Sequence, residues 1–284
     1  MQTSIIDAIL HLVANPVVQL GQTYKSNNRA NSAGVALELY IQDLFTGAFN
    51  MPETQRQERV SEVFSYTGNQ NNPPDAMLRG GDAIEVKKIE TSSTADLALN
   101  SSYPKRTLRA DNPMITRHCR EAEDWTEKDM LYVVGHIDKG KKTLRSLAMV
   151  YGLDYCASEE AYAGLKKRIQ DGVAHIDGIN LSETKELGRL NRVDPLGITY
   201  LRMRGMWGIA NPWSVFSYID ERDKHKNFNF MCIINSEKWR QLPKPERLLG
   251  LSRSDPRLKI SDVKIKDPNN PARLNDAKLI QFSI

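Results

Sequence analysis

Cysteine is scarce in this 284-residue chain. Cys119, Cys156 and Cys232 are odd in number, widely spaced and free of any CxxC pair. That argues against a disulfide framework and a structural zinc site, and a reducing cytoplasm suits such a set. Long hydrophobic runs are absent too. No stretch approaches the roughly 18 apolar residues of a membrane span, so no membrane partner is expected. Met1 to Val18 is apolar but has no basic leader and carries Asp7 and His11, so it reads as an amphipathic helix and not a signal peptide. His118, His136, His175 and His225 share no spacing that would build an HNH or zinc site. Excess charge of one sign is small: 39 basic against 35 acidic residues give +4, which permits a polyanionic partner without demanding one.

The composition that remains, 40% hydrophobic and 26% charged, is that of a globular protein with a full-sized core. Ile5, Ile6, Ile9, Leu10, Leu12 and Val13 share one side of a helix ending near Asn15-Pro16. Asn31-Ser32 can cap a second, whose stripe of Val35, Leu37, Leu39, Tyr40, Leu44 and Phe45 runs to about Phe49. Asn69 to Pro74 is turn-rich and reads as loop. Two short strands around Gly80-Gly81 follow over 75–90. Residues 91–125 read as one long connection rich in polar and basic side chains, of the kind that carries function. Met130 to Ile137 and Leu144 to Tyr151 form a second hairpin. Ser158 caps a helix through about Val173, and Ile198 to Trp207 and Asn229 to Ile234 are further strands. The tail after Pro243, polar and Pro-rich, has no clear periodicity. This order predicts an α/β (α+β) fold with a central mixed sheet flanked by helices.

The chemistry concentrates in one segment, Pro74-Asp75-Ala76-Met77-Leu78-Arg79-Gly80-Gly81-Asp82-Ala83-Ile84-Glu85-Val86-Lys87. Phosphodiester hydrolysis with a hard divalent cation needs carboxylate oxygens to hold the ion, and a nearby lysine can orient or deprotonate water. Acid-x-Lys on a strand places both groups on one face. The same pattern recurs at Glu183-Thr184-Lys185, Asp262-Val263-Lys264 and Asp276-Ala277-Lys278. Only the first copy follows a turn and a strand opened by Pro74-Asp75. The competing reading is an exposed edge strand whose Glu85 and Lys87 face water. Register decides between them. A two-residue turn would set Asp75 opposite Val86, on the wrong face, whereas a three-residue loop sets it opposite Glu85 or Lys87. The pairing therefore predicts an odd-length loop or a bulge with a glycine at positive φ, or Asp75 bent out ahead of the strand.

Pro74-Asp75 followed by Glu85-Val86-Lys87 resembles the PD-(D/E)xK nuclease signature. The flanks are similar to the NgoPII-type type II restriction endonucleases: Asn28-Arg29-Ala30-Asn31 with Gly34, Ala36, Leu37 and Glu38, and Leu99-Asn100-Ser101-Ser102-Tyr103-Pro104-Lys105. The likeness covers roughly residues 1–125. It implies a restriction-endonuclease-like core and a homodimer that encircles a palindromic site, GGCC in that group, and cuts both strands of double-stranded DNA with Mg²⁺. It further implies Asp75, Glu85 and the Val86 carbonyl as metal ligands, Lys87 as the residue that positions water, and Glu38 as an accessory acid. One endonuclease domain over 1–284 is expected, with helices, catalytic hairpin and basic loop in 1–125. The rest of the sheet and elements for DNA and dimer contact would occupy 126–284.

Read with that expectation, Lys88, Asn100, Ser101, Ser102, Lys105, Arg106, Arg109 and Asn112 are candidate DNA contacts, since such side chains grip phosphates and, for Arg and Lys, read guanine. Arg202 and Arg204, alternating on one strand, are a second set. Two other functions stay open at this stage: a repair or structure-specific nuclease of the same fold, and a DNA-binding protein without catalysis.

Overall fold

The N-terminal helix α1 (Ile5–Ala14) begins in a capping box. The Ser4 hydroxyl accepts the Ile6 N–H at 3.2 Å, and Asp7 accepts the Ser4 N–H at 3.1 Å. A short turn of helix, α2 (Leu20–Thr23), precedes α3 (Ala33–Thr46), which buries Leu37, Tyr40, Ile41, Leu44 and Phe45. The architecture comes from a computed structural model that describes residues 2–24, 33–69, 72–91, 95–100, 102–177, 180–182, 184 and 187–284. The expected Asn31-Ser32 cap and the Asn28–Asn31 stretch lie outside the described residues. Helix α4 (Glu53–Val63) is fastened to α3 by a buried ion pair, Arg56 Nε to Asp43 Oδ1 at 2.8 Å, with the Tyr24 hydroxyl donating to Asp43 Oδ2.

Strands β1 (Phe64–Asn69), β2 (Asn72–Leu78) and β3 (Ala83–Ile89) follow, then β4 (Leu97–Asn100), β5 (Thr107–Arg109) and the helical turn α5 (Arg117–Arg120). Next come β6 (Glu127–Ile137), β7 (Leu144–Tyr151), α6 (Gly152–Tyr155) and α7 (Glu159–Ala174). Beyond them lie β8 (Asn180–Ser182), β9 (Gly188–Asn191), β10 (Tyr200–Met203), β11 (Trp207–Ile209) and α8 (Pro212–Val215). The chain closes with β12 (Asn229–Asn235), α9 (Ser236–Gln241), α10 (Pro245–Ser254), β13 (Leu258–Asp267) and β14 (Asn270–Ser283).

Among the described residues the central sheet runs β1-β2-β3-β6-β7-β12-β14-β13, with β5 also paired to β6. The β3/β6 and β7/β12 pairs are parallel and the others antiparallel, which makes it the mixed α/β sheet that the sequence pattern predicted. Alternation along each strand feeds two cores. Ile84, Leu131, Val133 and Cys232 pack with α1 and α3 on one face. Ala83, Tyr132, Val134 and Ile233 pack with Trp213 and Phe216 on the other. All three cysteines are free and buried, and no helix among the described residues is long and apolar enough to cross a membrane.

Four expectations change. Of the segment expected as loop, Asn69 to Pro74, the described residues Asn69 and Asn72 to Pro74 are strand. Pro73 and Pro74 fit because a register shift between Thr67 and Asn69 loosens the β1/β2 ladder where their missing N–H groups would fall. The connection over 91–125 contains β4, β5 and α5, elements too short to leave a periodic signature. Ile198 to Trp207 is two strands in two different sheets, β10 and β11. The tail forms α10 and a long hairpin that supplies Leu279, Ile280 and Phe282 to the cores. Ser158 does sit at the start of α7, but its side chain makes no capping hydrogen bond.

Burial holds the Asp43 carboxyl above its ordinary range even beside Arg56. An Arg56→Met substitution strands that carboxylate and is expected to lower the unfolding free energy by about 3 kcal/mol. Adding Asp43→Asn should restore part of the loss. Urea denaturation measures both, and an Arg56→Met protein as stable as wild type contradicts this role for the pair.

Candidate active site

The hairpin between β2 and β3 settles the register question. Ala76 pairs with Ile84 and Met77 with Ala83, and the Leu78 N–H donates to the Asp82 carbonyl at 2.9 Å. The loop is therefore the three residues Arg79, Gly80 and Gly81. A tight turn closes it, the Gly81 N–H donating to the Leu78 carbonyl at 3.0 Å, with Gly80 at φ +64 as that turn requires. Continuing the register one step sets Asp75 opposite Glu85, on the face that also carries Lys87. Beyond Ala76 the two backbones part, and the Asp75 carboxylate takes over the pairing by accepting the Val86 N–H at 2.6 Å.

Glu85 is bonded on one side only. Its Oε1 meets Lys87 Nζ at 2.6 Å, while its Oε2 is buried without a hydrogen-bond partner. Such an oxygen costs free energy until something cationic or protic reaches it. Burial, and next to it the charge of Glu85, push Asp75 up to about 8. Burial pulls Lys87 down, but Glu85 and Asp75 outweigh it, so the ammonium is held above its ordinary range. Glu38 on α3 feels both Lys87 and Glu85, and burial raises its carboxyl. The structure thus gathers three acids and one lysine into a single electrostatic unit, three of them on one hairpin face. The other acid-x-Lys copies at Asp262 and Asp276 neutralise each other across β13 and β14, Lys264 to Asp276 at 2.6 Å and Lys278 to Asp262 at 2.7 Å. Glu183 and Lys185 lie outside the described residues.

Residues 3–266 match the family model of the NgoPII restriction endonucleases. The chain belongs to that family. The type II restriction enzyme NgoPII of Neisseria gonorrhoeae is 59% identical over 281 residues, which covers 99% of this chain and 100% of that relative. No solved structure matches. The endonuclease is accordingly a type II site-specific deoxyribonuclease acting on double-stranded DNA, which sets aside the repair-nuclease and non-catalytic readings.

The candidate DNA contacts of this endonuclease scatter. Lys105 is buried, its Nζ held by the Ser102 hydroxyl and, at 3.2 Å, by the Tyr103 carbonyl, and burial lowers its pKa. It lines a small cavity with Glu85, Ser102 and Tyr132, so it belongs beside the acids and not on the outer surface. Arg106 lines an open cavity with Arg109 and Asn112, and its buried Nε has no partner. Arg109 is exposed and paired with Asp111 at 2.8 Å, and Lys88, on the opposite strand face from Lys87, pairs with Glu90 at 3.1 Å. The Asn100 backbone pairs with Trp207, and Ser101 lies outside the described residues. Arg202 is on β10 of a separate small sheet, whereas Arg204 lies past the end of that strand, so the two do not alternate along one strand as expected.

Sequence reasoning missed the groups that hold the hairpin. Lys128 Nζ donates to the Leu78 carbonyl at 3.0 Å and the Gly81 carbonyl at 2.7 Å, and pairs with Glu123 at 2.5 Å. Glu123 also accepts the Gly80 N–H at 2.8 Å. Asp82 is held by Lys238 at 2.7 Å and by the Tyr151 hydroxyl at 2.8 Å, with Lys238 also paired to Asp129. These partners lie 43 to 156 positions away in the chain, so no local spacing reveals them. Gly68 was missed as well. A Cβ there would come within 2.3 Å of the Pro74 carbonyl oxygen and 3.0 Å of that of Asp75.

Two outcomes follow from this geometry. Gly68→Ala must push the Pro74-Asp75 backbone away, and a displacement near 1 Å costs about 10²-fold in cleavage rate. Wild-type cleavage by a folded Gly68→Ala protein contradicts the placement of Asp75. Because folding raises the Asp75 pKa, its carboxyl costs stability increasingly as pH climbs from about 4 to about 8. Asp75→Asn should therefore raise the unfolding midpoint of the metal-free protein by about 2 °C at pH 8 and less at pH 5. Equal shifts at the two pH values, or a loss at pH 8, contradict the electrostatic picture.

Proposed function

We propose that this endonuclease hydrolyses both strands of a short palindromic duplex site with Mg²⁺, leaving 5′-phosphate and 3′-hydroxyl ends. The observation that carries the reading is the buried, unpartnered Oε2 of Glu85 opposite Asp75. Two facing carboxylates with Lys87 as their shared counter-charge, and one oxygen left over, suit a hard cation with oxygen ligands. Among the described residues no group of three or more His, Cys, Asp or Glu could hold a metal. Asp75, Glu85 and the Val86 carbonyl would hold Mg²⁺, an ion that commonly keeps several waters and takes only one or two carboxylates. When bound, the ion supplies Lewis acidity toward a water and toward charge gathering on the phosphate.

The chain's own residues do the rest. Lys87, protonated and fixed by Glu85, orients the attacking water and offsets the negative charge of the acids. Asp75 accepts the Val86 N–H and so holds the strand that carries Glu85, the Val86 carbonyl and Lys87. Glu38 adds a third acid whose charge is felt by Lys87 and helps keep that lysine charged. A palindromic site has a two-fold axis, and two copies of the chain sharing that axis would bring one such site to each strand. The family resemblance supports GGCC as the sequence read.

Plasmid DNA incubated with the protein and Mg²⁺ should give discrete bands, each ending within GGCC. Lys87→Ala should lower cleavage by roughly 10²–10⁴-fold while leaving duplex binding intact. A smear, cleavage without divalent metal, or full activity of Lys87→Ala contradicts the proposal.

A further inference from the structure

Strands β8, β9 and β10 form a three-stranded antiparallel sheet apart from the central one. Asn191 lies opposite both Tyr200 and Asn180, and Arg189 opposite both Arg202 and Ser182. Residues directly opposite share a face, so these six side chains occupy one side of the sheet. Leu181, Leu190, Leu201 and Met203 take the other, where Leu190 is only 5% exposed. Gln170 of α7 bonds the Leu187 carbonyl at 2.9 Å at the root of β9.

The polar face has an unusual charge pattern. None of its six residues is acidic, and two arginines stand directly across from each other, an arrangement that repels in an isolated sheet. The Arg189 guanidinium lies 3.6 Å from the centre of the Tyr200 ring, which holds it in one orientation. Asn191 donates to the Ser182 hydroxyl at 2.7 Å, so the neutral half of the face is ordered as well. Arg189, Tyr200 and Arg202 are exposed. A face whose six side chains include two arginines, one of them held against Tyr200, two asparagines and no carboxylate complements a polyanion.

The sheet is also joined to the active site. Beyond β10, Trp207 pairs with Asn100 of β4. Leu187, Gly205 and Trp207 line a cavity with Ser102, Tyr103 and Lys105, the segment that reaches Glu85.

We propose that the Arg189-Asn191-Tyr200-Arg202 face is a docking surface for duplex DNA, carried on a small sheet joined to the active-site segment. Arginine suits guanine or phosphate, and asparagine suits base edges. The inference rests on the endonuclease reading above and adds the surface that grips or reads the duplex.

The test uses the full-length Lys87→Ala protein, so that DNA is bound and not cut. Into it go Arg189→Ala with Arg202→Ala, and separately Arg189→Lys with Arg202→Lys. Binding to a GGCC duplex and to an unrelated duplex is followed across salt concentrations. The alanine pair should weaken binding by about 10-fold or more, with an unchanged thermal midpoint. If the arginines hold phosphates, both duplexes suffer, the salt slope falls by about 2, and the lysine pair retains most of the binding. If they read guanine, the loss is confined to the GGCC duplex and lysine fails to rescue it. Either result supports the surface. Unchanged binding by a folded alanine pair overturns it, as does unchanged binding with a smaller sedimenting species, which would assign the face to a second copy of the chain. A parent Lys87→Ala protein that binds no duplex at all overturns the endonuclease reading first, and the sheet's role with it.

Discussion

Two carboxylates, Asp75 and Glu85, are held face to face in a partly dehydrated site with less positive charge than they need. Lys87 satisfies one oxygen of Glu85, the Val86 amide satisfies one oxygen of Asp75, and Glu85 Oε2 is left over. Such a pair is costly in the metal-free protein, and a chain selected only for stability would replace one member with an amide. On the proposed function the pair is preorganised: the free energy spent in folding would be returned when a cation binds. The rest of the hairpin can be understood as what keeps the pair from relaxing.

That restraint is distributed. The three-residue loop fixes the register, and Gly80 lets it close. Lys128, Glu123 and Lys238 then tie the loop to β6 and α9 through charge-assisted bonds, which are stronger than neutral ones. On the far side Gly68 lets β1 lie against the Pro74-Asp75 backbone, so the aspartate is pressed from behind. Parallel pairing with β6 sets Tyr132 beside Glu85, and the Tyr132 hydroxyl accepts the Lys105 N–H at 2.7 Å. The segment preceding β5 is thereby drawn into the site.

The sequence disclosed the site's chemistry more readily than its support. Glu85 and Lys87 follow from the two-residue period of a strand, and Asp75 follows once the loop length is known. Glu38 came from family likeness, and its helix was visible in the spacing of Leu37, Tyr40, Leu44 and Phe45. The clamps were invisible because a lysine such as Lys238, 156 positions from Asp82, carries no local signature. Length misled in both directions: β4 and β5 are too short to show alternation, and Ile198 to Trp207 looks like one strand because nothing local marks the switch between sheets. Pro73-Pro74 read as loop because a bulge, which removes the need for their N–H groups, depends on the partner strand. Lys105 looked like an exposed phosphate grip, and only tertiary packing reveals that it is buried beside Glu85.

Asp75 and Glu85 are proposed to form a cation site, and direct metal binding tests that most plainly. Mn²⁺ can be titrated into wild-type, Asp75→Asn and Glu85→Gln proteins without DNA, with the free ion followed by electron paramagnetic resonance. Wild-type protein should deplete the free-ion signal, and each variant should leave it close to that of buffer. Equal depletion by all three proteins would contradict the account.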